Sequence, residues 1–433
     1  MLELHHQRRR ATIVLSLIVG LLWSCAANQP AATPLDGWLN WRGPDQNGTS
    51  ADLNLPEDLS INGPEHLWTY PLSGRGTPVI AGNRVYSFGY RGEGTNLKEV
   101  LACINSETGE AIWEHTFNDF LSDIIYERYS IGSPAIDPET GQIYLMTSAG
   151  LVSAFSRDGN LLWKRSMMEE FGRLTFPNGR TGAPLIFQDL VIVRGITTSW
   201  GKLGPARDRF YAFNKNTGDL IWVSTPGVGP IDSSFSSPIV TQYQGRKIFI
   251  AGTGCGNMVA VDLLTGQPIW RFQMANGGVN STPLIAKDRI IAIHGKENLD
   301  TSRSGRMVSI DPQNAFPPKS SSEGVILTQA NEMWRADLGH FTSSGVLKDQ
   351  TIYQMLPTGE LVAADTQTGS IRWRKKLGAE QLHASPLWAD GKLYITEVNG
   401  NVHILEPGPS GVTVLDSEEL QVSDGRYAEI YGS

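Results

Sequence analysis

The sequence predicts an all-β fold, an eight-bladed propeller of four-stranded antiparallel blades, and three observations carry that prediction. The 433 residues hold 46 Gly, 24 Pro and 12 Trp but only 18% charged residues, a balance that favours short strands and turns over long helices. One Gly-to-Trp unit recurs at fixed spacing. A Pro-marked strand start recurs alongside it.

The first element, residues 1–24, stands apart from that fold. Arg8, Arg9 and Arg10 precede the apolar run ATIVLSLIVGLLWS, a charged segment followed by a hydrophobic segment too short to span a bilayer, and it reads as an export signal of the lipoprotein type. Its end, Leu22-Trp23-Ser24-Cys25, resembles a bacterial lipobox, which implies acylation of Cys25 and a stable lipid anchor. The absence of Asp after Cys25 favours the outer membrane. The formal net charge of −8 argues against a nucleic-acid partner, because phosphate binding needs a basic face. Beyond Cys25 only Cys103 and Cys255 remain, and two thiols make no disulfide framework.

Residues 25–60 read as a linker that carries WLNWRGPDQNGTS, and the propeller is assigned to residues 61–433. Each unit opens on a strand start: Pro78, Pro134, Pro184, Pro238, Pro283, Gly345 and Pro386. Proline costs no ladder hydrogen bond at a strand's first residue. Two middle strands follow, exemplified by KIFIA and GNMVAV. The unit then closes with Gly109 before Trp113, Gly159 before Trp163, Gly218 before Trp222, Gly266 before Trp270 and Gly369 before Trp373, four residues apart in every copy. That is a hairpin with a positive-φ turn glycine, ending on a large aromatic that packs between sheets. Each buried indole removes about 200 Å² from water, an upper bound of about 5 kcal/mol.

The pattern A-x-D-x-x-T-G-x-x-x-W, best matched by Ala260 to Trp270, resembles the tryptophan-docking repeat of the PQQ-type (quinoprotein) β-propellers. WLNWRGPDQNGTS is similar to an N-terminal signature of exported PQQ-like proteins common in planctomycetes. The resemblance implies a propeller over residues 68–433 and leaves two branches open. One is the BamB-like envelope lipoprotein, a non-catalytic scaffold. The other is the PQQ-dependent alcohol or sugar dehydrogenase, which holds Ca²⁺ with carboxylate and amide oxygens, uses an Asp base and in many members covers the cofactor with adjacent cysteines. No adjacent cysteine pair exists here.

Strand ends outnumber strand starts. Trp113, Trp163, Trp222, Trp270, Trp334, Trp373 and GVTVLDSEEL are joined by an eighth, around Trp68, that precedes the first start. An eight-blade ring uses them all if the final AEIYGS begins another blade, and the expectation is therefore an eighth blade truncated at Ser433, short of about 25 to 30 residues.

No catalytic signature is present. His294, Glu297 and Asn298 lie in HGKENLD, read as a solvated loop that could meet a cation, and Trp200 lies in an insertion over residues 197–209 read as a rim loop. Further insertions fall at residues 118–129 and 311–334. The expected function is a non-catalytic scaffold without cofactor or metal, lipid-anchored on the periplasmic face of a membrane, that binds an envelope protein or cell-surface polymer.

Overall fold

Short runs of β-branched and aromatic residues punctuated by Gly and Pro give strands, and in the computed structural model the described strands pair as seven sheets in chain order, each of four antiparallel strands and one with a fifth, parallel strand added. The structure describes residues 34–60, 63–118, 130–172, 182–197, 199, 201–313, 324–378, 383, 385–421 and 428–431, and residues 35–433 form one compact unit.

Sheet 1 contains β1 (Val79–Ala81), β2 (Arg84–Arg91), β3 (Lys98–Asn105) and β4 (Ala111–Asn118); sheet 2 contains β5 (Ala135–Ile136), β6 (Ile143–Met146), β7 (Leu151–Phe155) and β8 (Leu161–Ser166). Sheet 3 contains β9 (Leu185–Phe187), β10 (Leu190–Thr197), β11 (Arg207–Asn214) and β12 (Leu220–Ser224), and sheet 4 contains β13 (Ile239–Tyr243), β14 (Arg246–Gly252), β15 (Asn257–Asp262) and β16 (Pro268–Gln273). Sheet 5 is β17 (Leu284–Ala286), β18 (Arg289–Glu297), β19 (Ser304–Ile310) and β21 (Glu332–Ala336), interrupted by β20 (Val325–Leu327), which pairs elsewhere. Sheets 6 and 7 are β22 (Val346–Lys348), β23 (Thr351–Met355), β24 (Glu360–Asp365), β25 (Ile371–Lys376) and β26 (Leu387–Ala389), β27 (Lys392–Thr396), β28 (Asn401–Pro407), β29 (Val412–Glu419). First strands of successive sheets touch, β1 with β5, β5 with β9, β17 with β22 and β22 with β26, so these short strands face the common centre.

Turn chemistry explains the repeating hairpin. Asn105, Asn214, Asp262 and Asp365 each accept hydrogen bonds from the backbone N–H groups two and three residues ahead, which fixes the chain reversal. The glycine that follows takes φ between +70° and +73° in those four turns. Its missing side chain has a second use. A Cβ on Gly218 would lie 2.7 Å from the ring of Trp163, one on Gly266 2.6 Å from Trp222, and one on Gly369 2.5 Å from Trp334. Each indole therefore lies flat on the turn glycine of the next sheet. Its N–H donates to a carbonyl of the same turn, as from Trp163 to Lys215 at 2.8 Å and from Trp222 to Leu263 at 3.1 Å. In all seven outer strands the register slips just before the tryptophan or its equivalent, a recurrent β-bulge.

Buried charges bridge neighbouring sheets, each with partners. Glu99 of sheet 1 accepts from Ser130 N–H at 3.1 Å and from Ser148 N–H at 3.0 Å. Lys215 of sheet 3 is paired with Asp137 of sheet 2 at 2.9 Å. Such groups must be satisfied when removed from water.

Among the described residues there is no eighth sheet. The Trp68 stretch carries no strand, yet its indole takes the docking position on sheet 1: the N–H donates to Ser106 O at 2.8 Å, and a Cβ on Gly109 would lie 2.5 Å from the ring. Nor is there a strand at residues 428–431. Tyr431 instead lies between Arg75, 3.8 Å from its ring centre, and His383, stacked at 5.4 Å. Arg75 and His383 lead into sheets 1 and 7. The insertion at 311–334 is only partly loop, because β20 adds to β16 as a parallel fifth strand of sheet 4. Cys103 and Cys255 are buried free thiols in sheets 1 and 4.

If the indole contact holds the ring, Gly218→Ala should cost about 2 kcal/mol or more, since it adds both a positive-φ penalty and a clash. Trp163→Ala should cost about 3–5 kcal/mol. Urea unfolding midpoints check both, and a Gly218→Ala midpoint equal to wild type would refute the contact's importance.

Candidate functional site

The centre of the ring is occupied by the chain's own N-terminal segment. The stretch read as a linker packs inside the compact unit: Ile80 N–H of β1 donates to Trp38 O at 2.8 Å, and Ile136 N–H of β5 to Leu39 O at 2.8 Å. Val240 N–H of β13 donates to the Gln46 side chain at 2.9 Å. Thr49 forms a parallel bridge with Trp388 of β26. Inner strands have no sheet partner on the channel side, and this loop supplies acceptors for their N–H groups.

Arg42 is the centre of the loop and is 3% exposed. Its guanidinium donates to the carbonyls of Ser344 at 3.5 Å, Gly345 at 2.5 Å and Pro386 at 3.4 Å, and to Asn47 O of its own loop at 2.9 Å. One cation thus ties sheets 6 and 7 to the loop. Burial pulls its pKa down to about 9, so it remains charged at neutral pH. Two glycines make the fold of the loop possible. Gly43 and Gly48 both have φ +78°, and a Cβ would fall 2.6 Å from the Trp38 ring and 2.5 Å from Arg42 Nη2 respectively. Sequence reasoning noted WLNWRGPDQNGTS as a signature but did not assign Arg42; the signal was a lone Arg between aromatic residues and two turn glycines.

Around this stopper the inner ends of sheets 3, 4, 5 and 6 are polar and buried. Arg194 Nε donates to Asp208 at 2.8 Å, its Nη1 to Ser234 Oγ at 2.7 Å, and Asp208 also accepts from Gly254 N–H at 2.7 Å. Asp208 thereby has its donors supplied within the protein. It lies in the insertion over residues 197–209, whose first residue ends β10 and whose last three, Arg207 to Arg209, open β11 rather than a rim loop. Trp200 lies outside the described residues, as do Cys25 and residues 1–24.

His294 and Glu297 belong to β18, not to a solvated loop. His294 is fully buried, Asn298 is buried and Glu297 is exposed, so the three do not converge on one point of solvent. Burial first, and the nearby Arg306 charge second, lower the His294 pKa to about 4. It is a neutral core histidine. Among the described residues the only cluster of three potential metal ligands is Asp58, Asp416 and Glu418, on the outer strand β29 and the segment passing it. There Asp416 already accepts from Leu59 N–H at 3.0 Å. At the ring centre Asp208 is already supplied with donors by Arg194 and Gly254 N–H, and the loop there bears the cationic Arg42. Cys103 lies on β3 and Cys255 in the turn between β14 and β15, so the two thiols belong to different parts of the ring.

The architecture defines a β-propeller-type repeat protein whose sheets are joined by indole-on-glycine contacts. The chain belongs to the family described as outer membrane protein assembly factor BamB, which matches residues 58–172, 98–330 and 322–419. It is 23% identical over 348 residues to the outer membrane protein assembly factor BamB of Burkholderia pseudomallei, covering 79% of this chain and 77% of that one. The protein of the same name from Shewanella oneidensis is 23% identical over 332 residues, covering 69% and 78%. Among solved structures it resembles BamB of Moraxella catarrhalis, with a TM-score of 0.52, 17% identity and 81% and 88% of the two chains covered. A europium-containing methanol dehydrogenase gives 0.64 at 12% identity, covering 92% and 86%. At such identities these structures show a shared fold.

Two measurements follow from the buried charges. Arg42→Gln should lower stability by about 3 kcal/mol, because several buried carbonyls lose a charged donor at once; an unchanged melting temperature would contradict the role given to Arg42. His294 is near 4 when folded and at its ordinary 6.5 when unfolded. The unfolded chain binds the proton first as pH falls, so stability is complete above about 6.5 and drains by about 3 kcal/mol down to about 4. His294→Leu should flatten that part of the stability-versus-pH curve, read from urea midpoints at stepped pH.

Proposed function

We propose that the protein is a non-catalytic scaffold of the bacterial envelope that takes part in assembling outer-membrane proteins, anchored through an acylated Cys25 after removal of residues 1–24. The observation that carries this reading is the stoppered ring centre. In the dehydrogenase alternative that centre must admit a cofactor, a metal and an alcohol; here residues 38–50 occupy it, and Arg42 binds them to sheets 6 and 7. The family match over most of the chain and the names of the relatives point the same way. With its centre closed, the molecule's usable surface is its loops and outer strands, where scaffolds bind partners.

The test is affinity purification of the full-length chain from detergent-solubilised membranes. Outer-membrane assembly proteins should co-purify, and Cys25→Ser should move the protein from the membrane to the soluble fraction. Purified protein that binds PQQ with Ca²⁺, develops quinone absorbance and reduces a dye with an alcohol would overturn the reading.

A further inference from the structure

Every propeller-type sheet ends on an outer strand whose free N–H and C=O groups can template another chain, and natural sheets blunt such edges with charge, twist or cover. Six of the seven outer strands here carry charge: Glu114 on β4, Lys164 on β8, Arg271 on β16, Glu332 on β21, Arg372 on β25 and Asp416 on β29. Strand β16 is covered, because β20 lies along it in parallel with Trp270 opposite Val325, Arg271 opposite Ile326 and Phe272 opposite Leu327. Strand β12, Leu220-Ile221-Trp222-Val223-Ser224, carries no charge, and among the described residues no strand is added to it.

The two neighbouring sheets make an internal comparison. Strands β12 and β16 share the same register slip, with Ile221 and Ile269 as the bulged residues before Trp222 and Trp270. Under β20, Ile269 is 1% exposed and Trp270 fully buried, whereas Ile221 is 51% exposed, flanked by Leu220 at 42% and Val223 at 43%. The molecule therefore already contains the complex that β12 lacks. The added strand is aliphatic, Val325-Ile326-Leu327, and needs only three residues of register.

We propose that β12 is a docking edge for an extended, uncharged peptide strand, which adds to sheet 3 parallel to β12 along Trp222–Ser224 as β20 adds to sheet 4. Main-chain hydrogen bonds supply the affinity, and aliphatic side chains that cover Leu220, Ile221 and Val223 supply the selection. The partner class deepens the scaffold reading and rests on it: a strand of an unfolded outer-membrane barrel, apolar on alternate residues, has this chemistry.

The probe is a fluorescent synthetic peptide of about ten alternating valines and threonines, the length of a barrel strand, titrated into full-length protein in detergent and read by anisotropy. The Ile221→Lys/Val223→Lys variant should weaken binding at least tenfold, about 1.4 kcal/mol or more. Leu161→Lys/Leu162→Lys on β8 should change it less than about twofold, since that strand already carries charge. A peptide N-methylated at alternate residues should lose binding to the unaltered protein, a control that needs no variant to fold. The inference is overturned if both lysine pairs weaken binding equally, if the N-methylated peptide binds as well, or if the β12 pair changes only the sedimentation of the protein, which would make a second copy the occupant. Peptide binding at β12 without co-purification of assembly proteins would keep this inference and sink the scaffold reading; co-purification without peptide binding would do the reverse.

Discussion

The contact on which the structure depends is an indole ring against a glycine with no side chain. Successive sheets of the ring are linked only by single connecting segments of chain, and their inner strands are two to five residues long, so inter-sheet cohesion must come largely from the outer part of each blade. Tryptophan supplies the largest apolar face available there, and only glycine lets that face reach the backbone of the next turn. The same glycine is already required by its positive φ. One residue thus answers two demands, the turn of its own sheet and the ring of the preceding tryptophan. The indole N–H completes the constraint by donating to a carbonyl of the turn it covers, as from Trp334 to Thr366 at 3.0 Å, which fixes rotation of the ring as well as its depth.

This locking explains what was legible from the residues alone. The Gly–Trp units and the Pro-marked strand starts depend on local turn chemistry, and they located the hairpins. Features built by pairing over long sequence distances left no periodic trace. Residues 38–50 lack strand alternation, yet they satisfy inner strands hundreds of positions away, as when Arg42 reaches Gly345. Strand β20 is three residues inside a polar, Pro-rich insertion, and its partner β16 lies some fifty residues earlier. HGKENLD looks solvated by composition, but strand β18 continues through it to Glu297 and turns His294 inward. A charged stretch next to a bulge reads as loop because the bulge breaks the two-residue alternation on which strand reading rests.

Burial of polar groups follows the same division between outer and inner parts of the ring. Outer interfaces are mainly apolar and depend on area, with Lys215 and Asp137 paired beside one turn; inner interfaces hold Glu99 and Asp208, each almost wholly removed from water. Near the axis the ends of the short inner strands leave N–H and C=O groups that no ladder pairs. Serines, a few charges and the N-terminal loop take up those groups. Such a network adds little net stability compared with an apolar one, but leaving any member unpaired is costly. It therefore selects one arrangement of sheets rather than supplying the energy that holds them.

The junction between sheets 7 and 1 shows how far non-blade segments can imitate a blade. Residues 54–72 run from sheet 7, where Leu55 N–H donates to Asp390 at 3.0 Å and Leu59 N–H to Asp416 at 3.0 Å, to sheet 1, where Trp68 covers Gly109 and Ser73 bridges Tyr90. Tyr431 fills the space between Arg75 and His383. The indole of an outer strand and the residue leading into an inner strand are the two ends of a blade's contact surface, and both are present here with no sheet joining them among the described residues. Sheet 1 consequently meets the same chemistry on its open flank that sheets 2, 3 and 4 meet from their preceding neighbours. What makes a blade's neighbour acceptable is thus one aromatic ring at the correct glycine and one side chain at the axis, while the strands between them contribute buried area.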